Sequence, residues 1–389
     1  MYFSQRLSRL SANVFADMDR AKAQAVATGQ TLIDLSLGSS DLPASPVAIQ
    51  AIHQALDCPE THGYVLHRNT QDFREAIALW YENRYGVPLD SATEVLPLIG
   101  SQEGTAHLPL ALMDAGDIAL LPDPGYPSYA GGVALAGGDI HFMPLVAEHD
   151  FLPQLAAIPT EILGKCRMLV LSYPHNPTTG IASLDFFRQV VVFCQKHEIV
   201  FVHDFPYNDM YFAGESVPPS VLQADPQKSC SIEFFTFSKS FNMGGFRVGF
   251  AVGNHELILA LRRIKAVVDF NQYQGIFSGA IAALQQDKTT IETNVAVYQA
   301  RRDALVDALN QAGWDVPKPP ATLYVWAKLP SSWTGTSLEF CTELVAKTGV
   351  ALAPGSGFGK AGEGYVRFAL VQEPRGLQTV VQKIQTFLQ

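Results

Sequence analysis

The sequence predicts an α/β protein with a largely parallel sheet. Short apolar runs alternate with longer segments in which apolar residues recur at helical spacing. Of the 389 residues, 48% are hydrophobic and 16% are charged, a composition typical of globular proteins with a large buried core. A chain of this length has room for two domains of ordinary size.

Six apolar runs are the candidate strands of this sheet. They span residues 94–99, 117–122, 167–173, 199–205, 232–238 and 248–253.

Residues 70–86 and 184–198, which lie between these runs, have the spacing of helices with one apolar face. After residue 255 a mostly helical stretch continues to Gln311, followed by strand-like segments at 322–329 and 364–371 and a final helix. We therefore predict a large domain over residues 46–280 and a smaller domain formed by residues 1–45 and 281–389.

The charge and the cysteines exclude several classes of protein. A formal net charge of −10 disfavours binding to nucleic acid or to an anionic membrane, since both require a positive surface field. The five cysteines are scattered and form no CxxC pair, so we expect reduced thiols and no metal site. No apolar run has the length of a signal peptide core or a membrane span. The sequence thus favours a cytoplasmic protein.

The strongest chemical signal is the segment FTFSKSFNMGGFRVGF at residues 235–250. It places Lys239 directly after an apolar strand, where a lysine is costly unless it is neutralised, paired or used covalently. Imine formation with an aldehyde cofactor would satisfy that requirement. Thr236, Ser238 and Arg247 are suitable donors to a phosphate group. The alternative is a surface turn with a solvated lysine.

Two further segments, LSYPHNPTTG and IVFVHDFPYNDMYF, also follow predicted strands. Asn176 lies in a turn bounded by prolines beyond the carboxyl end of a strand, where open α/β sheets bind ligands, and its amide could donate to a phenolate oxygen. Asp204 ends the next strand, and Tyr207 follows three residues later. A carboxylate there can hold a ring nitrogen in its protonated form. The alternatives are an ordinary turn at Asn176 and a helix cap or turn at Asp204.

A third segment, PLIGSQEGTAH, has a strand that ends at Gly100 and is followed by Ser101 and Gln102 at the start of a predicted helix. Free backbone N–H groups at a helix start attract phosphate, although a simple cap is the alternative. Tyr126 lies in the loop PDPGYPSY, where its ring could stack on an aromatic cofactor.

In combination, SKSFNMGGFRVGF, HNPTTG and DFPY resemble the class I/II aminotransferases of fold type I, which depend on pyridoxal 5'-phosphate. The resemblance extends from Arg6 to the C-terminus. It implies a large domain with a mostly parallel seven-stranded sheet between helices, together with a small α+β domain from both chain ends. It also implies amino acids and 2-oxo acids as substrates.

The resemblance assigns a role to each of these site residues. Lys239 is similar to the Schiff-base lysine, and Asp204 to the partner of the pyridine nitrogen. Asn176, which is also implied to contact the substrate, and Tyr207 match the donors to the ring oxygen. The remaining matches are the stacking aromatic, Tyr126, and the phosphate cup, Ser101, Gln102, Thr236, Ser238 and Arg247.

Three more positions follow from the resemblance alone. Arg367, in GYVRFAL, matches the arginine that binds the substrate α-carboxylate, and Gly38, in LSLGSSD, matches the backbone that closes over it. Tyr64 resembles the tyrosine that reaches the phosphate of the neighbouring subunit, which implies a homodimer with shared active sites. The chain departs from the family at Asn69, where glycine is usual, and at His175, where asparagine is common.

The predicted activity is transamination from an L-amino acid to a 2-oxo acid, with Lys239 as the base and ping-pong kinetics. The N-terminal stretch and GSQEGTAHLPLAL are similar to the branch that contains LL-diaminopimelate aminotransferases and enzymes for dicarboxylic amino acids. Aspartate, glutamate and alanine remain alternative donors, because no residue can be assigned to a distal carboxylate. The alternative functions are a carbon–sulfur β-lyase on the same fold and a non-enzymatic regulator that senses an effector.

Overall fold

The computed structural model describes Met1, residues 3–10 and residues 14–389. It shows an α/β protein in which helices cover a central sheet. The helices are α1 (Gln5–Arg9), α2 (Val14–Ala27), α3 (Pro46–Leu56), α4 (Gln71–Tyr85), α5 (Ser101–Leu112), α6 (Ser128–Ala136), α7 (Thr160–Leu163), α8 (Leu184–His197), α9 (Val221–Ala224), α10 (His255–Val268), α11 (Gln274–Leu284), α12 (Thr289–Gln311), α13 (Ser337–Thr348) and α14 (Pro374–Leu388). The strands are β1 (Ile33–Asp34), β2 (Val95–Leu98), β3 (Ile118–Asp123), β4 (Asp139–Pro144), β5 (Cys166–Leu171), β6 (Val200–Asp204), β7 (Ser231–Thr236), β8 (Gly249–Gly253), β9 (Tyr324–Lys328), β10 (Val350–Ala351), β11 (Ala353–Pro354) and β12 (Tyr365–Ala369).

The central sheet has seven strands in the order β2-β8-β7-β6-β5-β3-β4. Only β8 runs antiparallel to its neighbours, so the predicted mostly parallel seven-stranded sheet is confirmed. All six candidate strands are present, with ends within two residues of the predicted ones. The candidate list lacked β4, which pairs only with β3 at the edge of the sheet. Its side chains are mostly exposed or half-buried, and therefore it has no apolar run that would mark it.

The parallel arrangement gathers several chain segments at one edge of the sheet. Asp204 and Thr236 end the neighbouring strands β6 and β7, whose pairing places Asp204 opposite Phe234. Because β8 runs in the opposite direction, it begins at this same edge, directly after Arg247 and Val248. Residues that are distant in the sequence therefore meet beyond the carboxyl ends of the parallel strands, where open α/β sheets bind ligands.

The two ends of the chain share a second hydrophobic core. Met18 and Leu35 from the N-terminal end belong to the same buried cluster as Leu305, Phe340 and Phe368. The parallel pair β1 and β10 and the antiparallel sheet β11-β12-β9 lie in this part of the chain. On this basis we propose 46–280 as the large domain and 1–45 with 281–389 as the small one. No helix of the described residues is long and apolar enough to cross a membrane.

One close approach of backbone segments in the small domain gives a stability prediction. Gly349 caps α13 with a φ of 75°, and a Cβ at this position would lie 2.3 Å from the carbonyl oxygen of Thr31. Gly349→Ala should therefore lower the free energy of unfolding by about 2–4 kcal/mol, measured by urea denaturation.

Gly313 is the matched control. It follows α12 with a φ of 83°, but no atom lies within 4 Å of a Cβ built there. Gly313→Ala should cost only about 1 kcal/mol, which is the effect of the left-handed conformation alone. Equal losses at both positions would show that the contact with Thr31 contributes nothing.

Candidate active site

A cavity of about 1050 Å³ lies at the carboxyl edge of the central sheet. Twelve of the thirteen site residues predicted from the sequence line it, although they span the chain from position 38 to position 367. These are Gly38, Ser101, Gln102, Tyr126, Asn176, Asp204, Tyr207, Thr236, Ser238, Lys239, Arg247 and Arg367.

Lys239 lies half-buried in the turn that follows β7. Its Nζ donates a hydrogen bond to the carbonyl oxygen of Gly38 and lies 5.8 Å from the centre of the Tyr207 ring. No carboxylate of the described residues forms an ion pair with it. The lysine is thus neither a solvated surface residue nor half of a salt bridge, and its amine faces the cavity.

Asp204 is a buried carboxylate with one unused oxygen. Its Oδ2 accepts a hydrogen bond of 2.7 Å from the hydroxyl of Tyr129, whereas Oδ1 has no hydrogen-bond donor among the described residues. Burial raises the pKa of Asp204 to about 6, although the bond from Tyr129 opposes the shift. Because a buried acceptor without a donor is unfavourable, Oδ1 fits a charged N–H group such as a protonated ring nitrogen.

Donors to an anion meet at the start of α5. Gly100 caps this helix with a φ of 75°, and a Cβ there would lie 2.5 Å from Nη2 of Arg247. The guanidinium is held in place by a 3.0 Å bond from Nη1 to the carbonyl oxygen of Gly244. The hydroxyls of Thr236 and Ser238, 2.8 Å apart, line the same cavity. A helix start, two hydroxyls and a guanidinium are donors that fit a phosphate group.

Arg367 is a buried cation without a carboxylate partner in the described part of the chain. It is 5% exposed, although an arginine on a strand is more often a solvated surface residue. Its guanidinium donates to Oδ1 of Asn176 at 2.6 Å and to the carbonyl oxygen of Ser36 at 2.9 Å, and Nε has no acceptor. Because a buried charge is costly without a counterion, this site favours a ligand carboxylate. The bond to Asn176 leaves the amide nitrogen of Asn176 as a donor for another group.

Two buried tyrosines that line the cavity, Tyr129 and Tyr324, were not predicted from the sequence as site residues. Tyr129 donates to Asp204 and lies three residues after Tyr126, so the two tyrosines of PDPGYPSY were the available signal. Tyr324 begins β9, where an aromatic residue in an apolar strand suggests only core packing. In the structure Tyr207 donates to the hydroxyl of Tyr324 at 3.0 Å.

Tyr126 and Gln102 are close to each other at the cavity wall. The Tyr126 hydroxyl lies 3.4 Å from Oε1 of Gln102, and 37% of the tyrosine is exposed. Its ring meets that of Tyr129 edge to face, with 5.8 Å between the ring centres. One face of Tyr126 therefore remains available to a flat ligand.

Tyr64 is the predicted residue that the single chain does not bring to the cavity. It is 87% exposed, and its ring lies 6.0 Å from that of Phe270. Tyr64 is therefore not a residue of the hydrophobic core. Its role toward a neighbouring subunit stays a prediction.

The two departures from the family pattern have local structural roles. His175 is wholly buried, its Nδ1 lies 2.7 Å from the hydroxyl of Thr178, and burial lowers the pKa of this histidine to about 3. It therefore holds the turn of Asn176 as a neutral group. Asn69 accepts a hydrogen bond from the backbone N–H of Leu66 and caps the short turn before α4.

Comparisons with known proteins agree with this geometry. The sequence model of a family described as "Aminotransferase class I and II" matches residues 30–384. A Dehalococcoides mccartyi protein named LL-diaminopimelate aminotransferase is 43% identical over 387 residues, which cover 100% of this chain and 99% of that protein.

Solved structures are similar over nearly the whole chain. A protein from Thermus thermophilus, described as a probable N-succinyldiaminopimelate aminotransferase, matches with a TM-score of 0.91 and 41% identity over 96% of this chain and 99% of its own. A Thermus thermophilus aspartate aminotransferase mutant has the same fold, with a TM-score of 0.92 and 21% identity over 99% of each chain. The chain belongs to the class I and II aminotransferases, and it is a transaminase that depends on pyridoxal 5'-phosphate.

Proposed function

We propose that this transaminase takes the amino group of LL-diaminopimelate, or of a closely related amino acid with a second polar end, and transfers it to a 2-oxo acid. The observation that supports the site is the buried guanidinium of Arg367, whose Nε has no acceptor among the described residues, in one cavity with Lys239 and Asp204. These three side chains offer a carboxylate anchor, a base and a partner for a ring nitrogen. The D. mccartyi relative and the T. thermophilus structure are both named for diaminopimelate compounds.

Proton transfer and substrate binding are assigned to different residues of the site. When bound, pyridoxal phosphate supplies an aldehyde that condenses with amines and a ring that withdraws electrons from the substrate α-carbon. Arg367 binds the α-carboxylate and fixes the orientation of the α-carbon. Lys239, as a neutral amine, accepts the α-proton and later returns a proton. Oδ1 of Asp204 accepts the hydrogen bond of the ring N–H and keeps its proton in place.

Other residues bind the cofactor and fix the orientation of its ring. We assign its phosphate to Arg247, the hydroxyls of Thr236 and Ser238, and the start of α5 at Ser101 and Gln102. The amide nitrogen of Asn176 and the hydroxyl of Tyr207 are donors for the ring oxygen, Tyr126 is the stacking aromatic, and the backbone of Gly38 closes over the substrate carboxylate.

A charged group at the N-terminal wall of the cavity supports a substrate with a second polar end. Lys22 and Asp19 on α2 line the cavity, and Nζ of Lys22 lies 2.8 Å from Asp19, 3.2 Å from Asp34 and 3.5 Å from the hydroxyl of Ser36. Burial lowers the pKa of Lys22, but the two carboxylates outweigh it and raise the pKa overall. The lysine therefore stays charged.

The position of this group fits the far end of diaminopimelate. The backbone carbonyl of Ser36 accepts from Arg367 and its side-chain hydroxyl accepts from Lys22, so this residue connects the α-carboxylate site to Lys22. The distal end of diaminopimelate carries one ammonium and one carboxylate. We assign the carboxylate to Lys22 and the ammonium to Asp19, whose side chain pairs with Lys22 and is 71% exposed.

We further propose a homodimer with shared active sites, in the cytoplasm. The exposed ring of Tyr64 lies beside the exposed ring of Phe270, and Val267 and Val268, which precede Phe270 in the chain, are exposed as well. Exposed apolar residues of this kind mark protein interfaces. The five free thiols suit a reducing compartment. A single-chain mass in sedimentation experiments would contradict the dimer.

The first prediction from the proposed function concerns the transaminase activity and Lys239 as its base. Protein loaded with pyridoxal phosphate should convert the cofactor to its amine form with LL-diaminopimelate, and a 2-oxo acid should reverse the change. Lys239→Ala should lower kcat/KM by at least about a thousandfold, since it removes the proton-transferring group. Lys196→Ala, which removes an exposed lysine of α8, should leave kcat/KM unchanged. Full activity of Lys239→Ala would refute the assignment.

The second prediction tests the distal site. Lys22→Met should raise the KM for LL-diaminopimelate about tenfold, a loss of about 1.4 kcal/mol, because the distal carboxylate loses its cation. The KM for alanine, which has no distal group, should change by less than about twofold. Steady-state kinetics with both donors measures the difference. An equal rise for both donors would mean that Lys22 supports the fold of α2 and not the choice of substrate.

The third prediction concerns the buried carboxylate in protein freed of cofactor. Since burial raises the pKa of Asp204 to about 6, the folded state binds its proton more tightly than the unfolded chain does. The carboxyl should thus destabilise the fold progressively as the pH rises from about 4 to about 6, by about 3 kcal/mol in full.

Asp204→Asn should therefore be more stable than the wild type at pH 8, by up to about 3 kcal/mol, and similar to it at pH 4. Unfolding curves of the cofactor-free proteins at the two pH values measure this difference. Asp185→Asn, at a side chain that is 81% exposed, should bring no such gain. The cofactor-loaded Asp204→Asn protein should nevertheless lose activity. If Asp204→Asn were no more stable than wild type at pH 8, the ionised Asp204 would not destabilise the folded state.

A further inference from the structure

Tyr324 lies near both Lys239 and Arg367, the proposed base and the proposed carboxylate-binding residue. It begins β9 and pairs with Ala369, whereas Arg367 on the adjacent strand pairs with Trp326. Tyr324 is 2% exposed, and the guanidinium carbon of Arg367 lies 4.1 Å from the centre of its ring. The ring face is therefore a platform for the guanidinium, an arrangement that a cation favours.

The hydroxyl of Tyr324 meets the groups on the other side. It lies 3.0 Å from the hydroxyl of Tyr207, which donates to it, and 3.4 Å from the carbonyl oxygen of Gly38. That carbonyl also accepts the hydrogen bond of Lys239. A Cβ at position 38 would lie 1.8 Å from the tyrosine oxygen, so a glycine is required there. Tyr324 thus contacts Arg367 and Tyr207 directly, and it is connected to Lys239 through the carbonyl of Gly38.

The number of protons on these hydroxyls limits what each can do. Tyr207 has one O–H, which it directs at Tyr324 in the protein alone. If Tyr207 turns this proton to a cofactor oxygen, the oxygen of Tyr207 becomes an acceptor, and Tyr324 is the hydroxyl within reach to donate to it. In the protein alone the single O–H of Tyr324 donates to the carbonyl oxygen of Gly38 at 3.4 Å, so it must turn away from that carbonyl to serve Tyr207.

The local charges support such a donor. Burial alone would raise the pKa of Tyr324, but the positive charges of Lys239 and Arg367 bring it below its ordinary value. A more acidic phenol donates stronger hydrogen bonds. Tyr129, a third buried tyrosine of the cavity, contacts Asp204 instead.

We propose that Tyr324 is a positioning residue that aligns Lys239 and Arg367 and, through its hydroxyl, strengthens the hydrogen bond of Tyr207 to the cofactor oxygen. This inference rests on the proposed roles of Lys239, Arg367 and Tyr207. It goes beyond them by assigning a function to a tyrosine that need not touch the substrate.

Tyr324→Phe tests the hydroxyl while it keeps the ring beneath Arg367. In loaded enzyme without substrate, the pH midpoint of the cofactor absorbance should rise by about half a unit, a threefold change in proton affinity, because the anionic ring oxygen loses support. The kcat should fall about tenfold, while the KM for the amino donor stays within about twofold of wild type. Tyr365→Phe is the matched control, since Tyr365 stacks on Trp326 outside the cavity.

A double variant distinguishes alignment from packing. If the two hydroxyls act in series, Tyr207→Phe with Tyr324→Phe should shift the midpoint no further than Tyr207→Phe alone. Additive shifts, or an unchanged midpoint and kcat in Tyr324→Phe, would overturn the role of Tyr324. If Lys239→Ala is inactive in the same preparation, the proposed function would still stand. Wild-type protein that shows no cofactor absorbance would overturn both.

Discussion

The site depends on two buried charged side chains that the described part of the fold satisfies only in part. Transfer of a carboxylate or guanidinium from water into the interior is unfavourable unless an opposite charge or hydrogen bonds replace the lost solvent. Oδ1 of Asp204 and Nε of Arg367 have no partner among the described residues. A ring nitrogen bound at Asp204 and a carboxylate bound at Arg367 would therefore stabilise these two groups. The free energy that the chain spends on burying them is recovered when the ligands bind.

The fold can hold such groups because their backbones belong to well-packed strands. Asp204 ends β6, a strand buried in the middle of the central sheet, and Arg367 lies within β12, which is paired on both sides. Neither side chain can withdraw to solvent without disrupting its sheet. Lys239, in contrast, lies in a turn and donates its hydrogen bond to a backbone carbonyl, so it has the freedom that a group which moves protons needs.

Much of this arrangement could be predicted from the sequence, because the local pattern carries it. Asp204 and Lys239 follow apolar runs, and the ends of such runs mark the edge of a parallel sheet. Strand β4 was missed because an edge strand needs no apolar run. Tyr324 was missed because an aromatic residue in a strand has the same pattern whether it packs in a core or donates a hydrogen bond. The group around Lys22 joins α2 to the segment 34–36, and no local pattern reveals such a pairing. The role proposed for Tyr64 involves a second chain, which the pattern of one sequence does not describe.

The charge balance of the cavity explains how an acidic protein can select anionic ligands. The chain as a whole carries a net charge of −10, yet Lys239, Arg247 and Arg367 line this cavity, and Asp204 is the buried carboxylate among them. A phosphate group brings about −1.5 to −2 charges at neutral pH, and a substrate carboxylate brings one more. Together they offset the excess of positive charge, while the ring nitrogen balances Asp204. Each ligand thus compensates the group that attracts it, so the local charges of the cavity and not the net charge of the chain select the ligand.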